Sequence, residues 1–158
     1  SDIIADSAHI MFWFSPSLRE ETKQAILSHR DDAVIQPFEM IWARTDNSGI
    51  CPDPQRYGRR TYDTAMLITF GDRLIVTPKS LSICAPWGEK IHRSQKPLPV
   101  VQHFMSMFVD KHSTVLDPTC GSGTALVAAR ELEAKSILGL EADPETHKRA
   151  VRFYKEQL

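Results

Sequence analysis

At 158 residues the chain is long enough to bury a real core, and residues 1–158 read as one domain. With a formal charge of −1 and a sequence pI of about 6.6 no global basic field advertises nucleic acid, which weighs mildly against an enzyme of DNA, and no apolar run is long enough to cross a membrane. The three cysteines, Cys51, Cys84 and Cys120, cannot all pair and lack metal-ligand spacing, so no metal site is expected and a reducing, cytoplasmic setting is the default.

In chain order, His9-Ile-Met-Phe-Trp-Phe14 is a continuous apolar run, the pattern of a strand covered on both faces. Ser15 to Glu20 then opens a helix, with Ser17 and Glu20 at capping-box spacing and Leu18, Thr22, Ala25, Ile26 and His29 on one face. Val34 to Trp42 is extended and apolar but interrupted by Pro37, which suits an edge or a bend. Thr45 to Arg60 is a loop rich in Asn, Gly, Pro and Arg, ending in Arg56-Tyr-Gly-Arg-Arg60. Arginines with an interleaved tyrosine suit phosphate contact and base stacking, though the same composition serves a solvated surface loop. Tyr62 to Phe70 is the next strand, with Asp72 to Val76 expected to return antiparallel after a turn at Gly71. From Gln55 to His103 eight Lys or Arg face three acids, an excess of five positive charges in a chain whose total is −1. Pro97 to Asp110 is a helix with a stripe of Val101, Phe104, Met105 and Phe108, a core pattern that needs no ligand to explain it.

The stretch Thr114-Val-Leu-Asp-Pro-Thr-Cys-Gly-Ser-Gly-Thr124 reads as a strand, a glycine-bearing loop and the start of a helix. Gly121 and Gly123 let a ligand approach the main chain, and free N–H groups near Ser122 to Ala125 favour an anionic group. No lysine follows the last glycine, which excludes a nucleotide P-loop. Ala125, Ala128, Ala129 and Leu132 give the helix a small inner side. About twenty residues after the loop, Ser136 to Asp143 is a second strand carrying Glu141, placed as the acid that accepts from ribose hydroxyls in a mononucleoside-binding half of a Rossmann-like sheet. The bland alternative is a tight turn in an ordinary α/β core. Cys120 within the loop reads as a small residue that fits rather than a nucleophile. Asp143-Pro144 caps a last helix, with His147, Ala150, Val151, Tyr154 and Leu158 inward.

Asp117-Pro-Thr-Cys-Gly-Ser-Gly-Thr124 followed by Gly139-Leu-Glu-Ala-Asp143 resembles the S-adenosylmethionine (SAM) motifs of DNA amino-methyltransferases, and His92-Arg-Ser-Gln-Lys-Pro97 is similar to that family's third cofactor motif. The order of these segments is similar to the circularly permuted beta class, and the resemblance is dense over 92–143. It implies a Rossmann-like SAM-dependent methyltransferase fold, α/β, with a mostly parallel sheet, one antiparallel strand and helices on both sides. It implies methylation of an exocyclic amine of a flipped DNA base, adenine N6 favoured over cytosine N4. Asp117, Pro118, Cys120, Gly121, Gly123 and Thr124 would cradle the methionine part of SAM. Glu141 would take the ribose, Ala142 would lie by the adenine, and Gln95 and Lys96 would close the methionine side. Ile41-Trp-Ala-Arg44 resembles the strand before the target-facing loop, so Arg44, Arg56, Tyr57, Arg59, Arg60 and Arg93 are the expected DNA contacts.

The family's catalytic motif is Asp, Asn or Ser, then Pro-Pro, then an aromatic. Ser15-Pro16-Ser17 has one proline and no aromatic and is read as a helix cap; no other stretch matches. The catalytic motif is therefore expected upstream of Ser1, with one central strand, and this chain alone is expected not to turn over. An exposed strand edge would favour a homodimer or association with the upstream segment. The rivals are an RNA methyltransferase, sharing the glycine loop and acid, and a SAM-binding module without catalysis.

Overall fold

The computed structural model describes residues 4–49, 51, 53–88 and 94–157. Length pointed to one domain; the chain divides into two compact units, Ser1–Ile75 with Ser80–Cys84, and Val76–Lys79 with Ala85–Leu158. The chain therefore passes from one unit to the other at Ile75/Val76, Lys79/Ser80 and Cys84/Ala85.

In the first unit β1 (Ala8–Phe14) leads through a 3-10 turn, Pro16–Leu18, into α1 (Arg19–His29). The capping box does not form: Leu18 is the N-cap with no side-chain hydrogen bond, and the Ser17 hydroxyl lies 3.0 Å from that of Ser15 instead. No residue of α1 is fully buried, and Ile26 is the side chain it packs against the core cluster of Ala33, Met66, Ile68 and Phe70. β2 (Val34–Ile35) and β3 (Met40–Arg44) follow, then β4 (Tyr62–Phe70) and β5 (Ser82–Ala85), in the sheet order β1-β4-β3-β5.

The centre of this sheet is β4. Thr64 to Phe70 are all buried, as a strand covered on both faces requires. From Thr64 to Phe70 it pairs antiparallel with the whole of β1, from Ala8↔Phe70 to Phe14↔Thr64. Its other edge is shared by β3, at Met40↔Ala65, and by β2, at Val34↔Thr69, with the break at Pro37 between them. β1 and β3 both oppose β4, so they run the same way and β4 is the reversed strand.

Two expectations are corrected here. Asp72 to Val76 forms no strand. Gly71 makes its turn, at φ 61°, but both edges of β4 are already occupied, so a returning strand has nothing to pair with. Leu74 is accordingly 80% exposed. β1, expected to be covered on both faces, is half-buried, with Phe12 46% exposed.

In the second unit α2 (Leu98–Met105) packs on α3 (Thr124–Glu131), and α3 is the crossover between two parallel strands, β6 (Thr114–Asp117) and β7 (Ser136–Gly139). Among the described residues β6 and β7 form a two-stranded parallel sheet of their own, while the pairs that β4 makes with β1, β2 and β3 are all antiparallel. Val101, Phe104, Met105 and Phe108 are buried as predicted, but α2 ends at Met105 rather than Asp110, so Phe108 lies in the turns beyond it. On α3 the inner side is Thr124, Val127, Ala128 and Ala129, small enough for close approach to β7. That closeness is why position 139 is glycine: a Cβ there would overlap Leu126 Cδ1 and come within 3.1 Å of Cys120 Sγ. α4 (Pro144–Glu156) is capped as predicted, Asp143 Oδ2 accepting from Thr146 N–H at 2.7 Å. Ala150 is its one fully buried residue among those described; Val151, placed inward from the sequence, is 39% exposed, and Leu158 lies outside the described residues.

Candidate functional site

The glycine loop leaves the C-terminal end of β6 and is held by bonds a sequence pattern cannot show. Asp117 Oδ1 accepts from Thr119 N–H at 3.1 Å, and the Cys120 N–H donates to the Leu140 carbonyl at 2.8 Å. Gly121, at φ 51°, and Gly123, at φ 78°, both occupy the left-handed region; Gly123 is the N-cap of α3. The buried hydroxyls of Ser122 and Thr124 lie 2.9 Å apart, filling the start of the helix.

Glu141 is the centre of the arrangement. One carboxylate oxygen accepts from Gly121 N–H at 3.0 Å and the other from Asp143 N–H at 2.9 Å. A single side chain thus ties the glycine loop to the strand end and to the cap of α4. Pro118, Leu140 and Ala142 are exposed around it, an open rim at the carboxyl ends of two parallel strands, where ligands bind in such sheets. Burial, and then the Glu141 charge, push the Asp117 carboxyl above the usual aspartate range, against the bond from Thr119 N–H that lowers it. The Cys120 thiol is buried and is pushed up by that burial and by Asp117 and Glu141, which disfavours its thiolate.

The structure brings together Asp117, Pro118, Cys120, Gly121, Gly123, Thr124, Glu141 and Ala142 on one loop-and-strand-end cradle. Gln95 and Lys96 stand half-buried just before α2, the Gln95 carbonyl accepting from Trp87 Nε1–H at 2.9 Å. Arg93 lies outside the described residues. Gly139, which opens the second motif but was given no role of its own, contributes by ending β7 with room for Leu126 and Cys120, two residues before Glu141. Among the described residues no group of three or more His, Cys, Asp or Glu side chains could hold a metal ion.

The basic loop belongs to the first unit. Arg56 has its side chain 78% exposed, with Asp53 at 3.4 Å, Tyr57 is 63% exposed, and Arg59 is exposed. These three are presented to solvent by a loop with its own bonds: the Asp53 carbonyl accepts from Tyr57 N–H at 2.9 Å and the Tyr57 carbonyl from Cys51 Sγ at 3.4 Å. Arg60 is half-buried. Arg44 corrects the expectation: its side chain is 2% exposed and pairs with Asp63 at 2.7 Å, so it is a buried structural cation and not a surface contact for DNA.

A glycine loop answered by an acid just beyond the end of the next parallel strand has the arrangement of nucleoside-binding half-sheets. The family model described as DNA methylase, of the N6/N4 methyltransferases, matches residues 7–152, and the chain belongs to that family. Its fold is that of solved methyltransferases. M1.HpyAVI, solved as a SAM complex, is 19% identical with a TM-score of 0.80, over 95% of this chain and 76% of that one. PvuII DNA methyltransferase, described as cytosine-N4-specific, is 12% identical with a TM-score of 0.65, over 96% and 69%. The Thermus thermophilus protein TTHA0409, a putative DNA modification methylase complexed with S-adenosyl-L-methionine, is 15% identical with a TM-score of 0.64, over 98% and 72%. No curated protein matches the sequence. No helix among the described residues is long and apolar enough to cross a membrane.

Proposed function

We propose that this chain binds SAM at the Gly121–Glu141 cradle and serves the methylation of an exocyclic amino group of a DNA base, with adenine N6 favoured over cytosine N4. The observation that carries the reading is the Glu141 carboxylate fixed at the lip of the glycine loop by two backbone N–H groups, in a chain of the DNA methylase family. The donor set fits the cofactor. Each Glu141 oxygen has lone-pair capacity left for a ribose hydroxyl. Asp117, whose proton affinity is raised by burial, is an acceptor for the ammonium of the methionine part, and a cation there would offset the cost of its ionisation. The N–H groups at the start of α3 suit the cofactor's carboxylate. When bound, SAM supplies an electrophilic methyl on sulfur; this chain's residues hold its two polar ends and leave the rim at Pro118, Leu140 and Ala142 open for the adenine.

Arg56, Tyr57 and Arg59 are the DNA contacts of this reading. A second reading, a cofactor-binding part whose amine-aligning group comes from elsewhere, is favoured by one observation: the sequence contains no Pro-Pro-aromatic tetrapeptide. Titration calorimetry with S-adenosylhomocysteine and ATP tests the site, and equal binding of the two would refute it. Tritiated-methyl transfer to DNA and RNA, with residues 1–158 alone and with any upstream region restored, separates the readings.

A further inference from the structure

We propose that Asp63 is a positioning residue that clamps the foot of the basic loop and so holds Arg56, Tyr57 and Arg59 ready for a nucleic-acid backbone; this rests on the DNA-directed reading above. Asp63 lies on β4 opposite Trp42, between the two ends of the loop. One of its carboxylate oxygens takes Arg44 Nη2, from the end of β3, at 2.7 Å; the other faces Arg60 Nη2, from the far end of the loop, at 4.0 Å. The backbone closes the same junction. Arg44 N–H donates to the Thr61 carbonyl at 2.7 Å, and Arg44 Nη1 to the Arg60 carbonyl at 3.4 Å. Gly49 is pressed against that junction, since a Cβ on it would overlap the Arg60 carbonyl oxygen.

The two halves of the clamp differ in strength. The Arg44 guanidinium is buried, 5.0 Å from the Trp42 ring centroid, and losing Asp63 would take away the carboxylate 2.7 Å from it. The Arg60 side chain is 29% exposed and more distant, so its attraction to Asp63 is screened, and its second anchor is the Ser15 hydroxyl at 3.4 Å. Arg44 therefore fixes the stem and Arg60 ties the loop to it. Arginines on a stem fixed in advance give up less conformational freedom when they meet phosphates.

The test uses the full chain. Asp63→Asn alone takes that carboxylate from a buried cation, so both charges are removed in Arg44→Met/Asp63→Leu, a change buried ion pairs tolerate. Trypsin cleavage after Arg56 and Arg59 should then be about fivefold faster or more. DNA affinity by fluorescence anisotropy should fall about tenfold, while calorimetric S-adenosylhomocysteine affinity stays within about twofold because the cofactor cradle lies in the other unit. Asp63→Glu, which keeps the charge, should retain most of the wild-type protection and DNA affinity. Unchanged cleavage in the double variant would overturn the clamp, and faster cleavage with unchanged DNA affinity would overturn the positioning role. Absence of DNA binding by the wild type would overturn the functional reading and with it the positioning role, while cleavage still decides whether the clamp exists. If circular dichroism shows the double variant unfolded, Arg60→Gln, which leaves the buried pair intact, decides: faster cleavage supports the clamp and an unchanged rate overturns it.

Discussion

Replacing Glu141 by alanine removes two kinds of interaction at once, and they can be measured separately. In the free protein it deletes the acceptors of Gly121 N–H at 3.0 Å and Asp143 N–H at 2.9 Å. Hydrogen bonds to a charged acceptor contribute about 1.5–3 kcal/mol each when shielded, and these are only partly so; a joint loss of about 2–4 kcal/mol of local stability follows. With cofactor present, the ribose hydroxyls lose the same carboxylate, a further cost of about 1.5–3 kcal/mol, or roughly 10- to 150-fold in Kd. Glu141→Gln keeps an oxygen for one N–H but turns an NH2 toward the other, so it should fall between. Thermal unfolding of the free protein reads the first effect, and calorimetry with S-adenosylhomocysteine reads the second. A 2′,3′-dideoxy analogue separates ribose contact from loop support: the wild type should prefer the natural ligand strongly and Glu141→Ala hardly at all. A folded Glu141→Ala protein that melts like the wild type and keeps that preference would show that the carboxylate neither clamps the loop nor meets the ribose.

Changing Arg56 and Arg59 to alanine should weaken DNA binding across sequences and flatten the slope of log affinity against log salt by up to about 2, checked by anisotropy across a salt series; an unchanged slope would remove them from the interface. Asp117 has a folded-state pKa above its ordinary value, so the fold holds its proton more tightly than the unfolded chain does. Its contribution to stability is present below the ordinary aspartate range and is lost as pH rises through the raised value. Asp117→Asn should therefore melt higher than the wild type at pH 7 without ligand, with the difference closing in acid below that range, while binding S-adenosylhomocysteine more weakly. Gly139→Ala should cost about 1–3 kcal/mol, because the added methyl displaces Leu126 and crowds Cys120; denaturant unfolding measures it, and a neutral result would mean α3 has room to shift.

What could be read from the sequence was what neighbours in the chain decide. Gly121 and Gly123 announce a left-handed loop, Asp143 announces a cap, and the apolar stripe of α2 announces a buried face, each within a few residues. Pairing partners distant in sequence were beyond it. Asp72 to Val76 has a strand composition, but whether it forms one depends on a free edge of β4, and β1, β2 and β3 had taken both. Arg44 has the composition of a phosphate contact, and only Asp63, across the strand pair, shows that it is buried. Glu141 was found as an acid at the right separation, yet its bond to Gly121 N–H became visible only in three dimensions.

The three passages of the chain between its two units set the rules for taking the protein apart. Residues 76–79 belong with the glycine loop, but 80–84 return to the first unit, where the Leu81 carbonyl accepts from Ile41 N–H at 2.7 Å. A fragment ending at Ile75 would lose β5 and leave β3 with a bare backbone edge, and one starting at Val76 would carry β5 away from its sheet. Neither unit is a continuous stretch of gene, so separate expression demands a splice across residues 76–79 for the first and across 80–84 for the second. A protease cut at Ile75/Val76 would leave β5 covalently attached to the second unit and held in the first only by its pairing with β3.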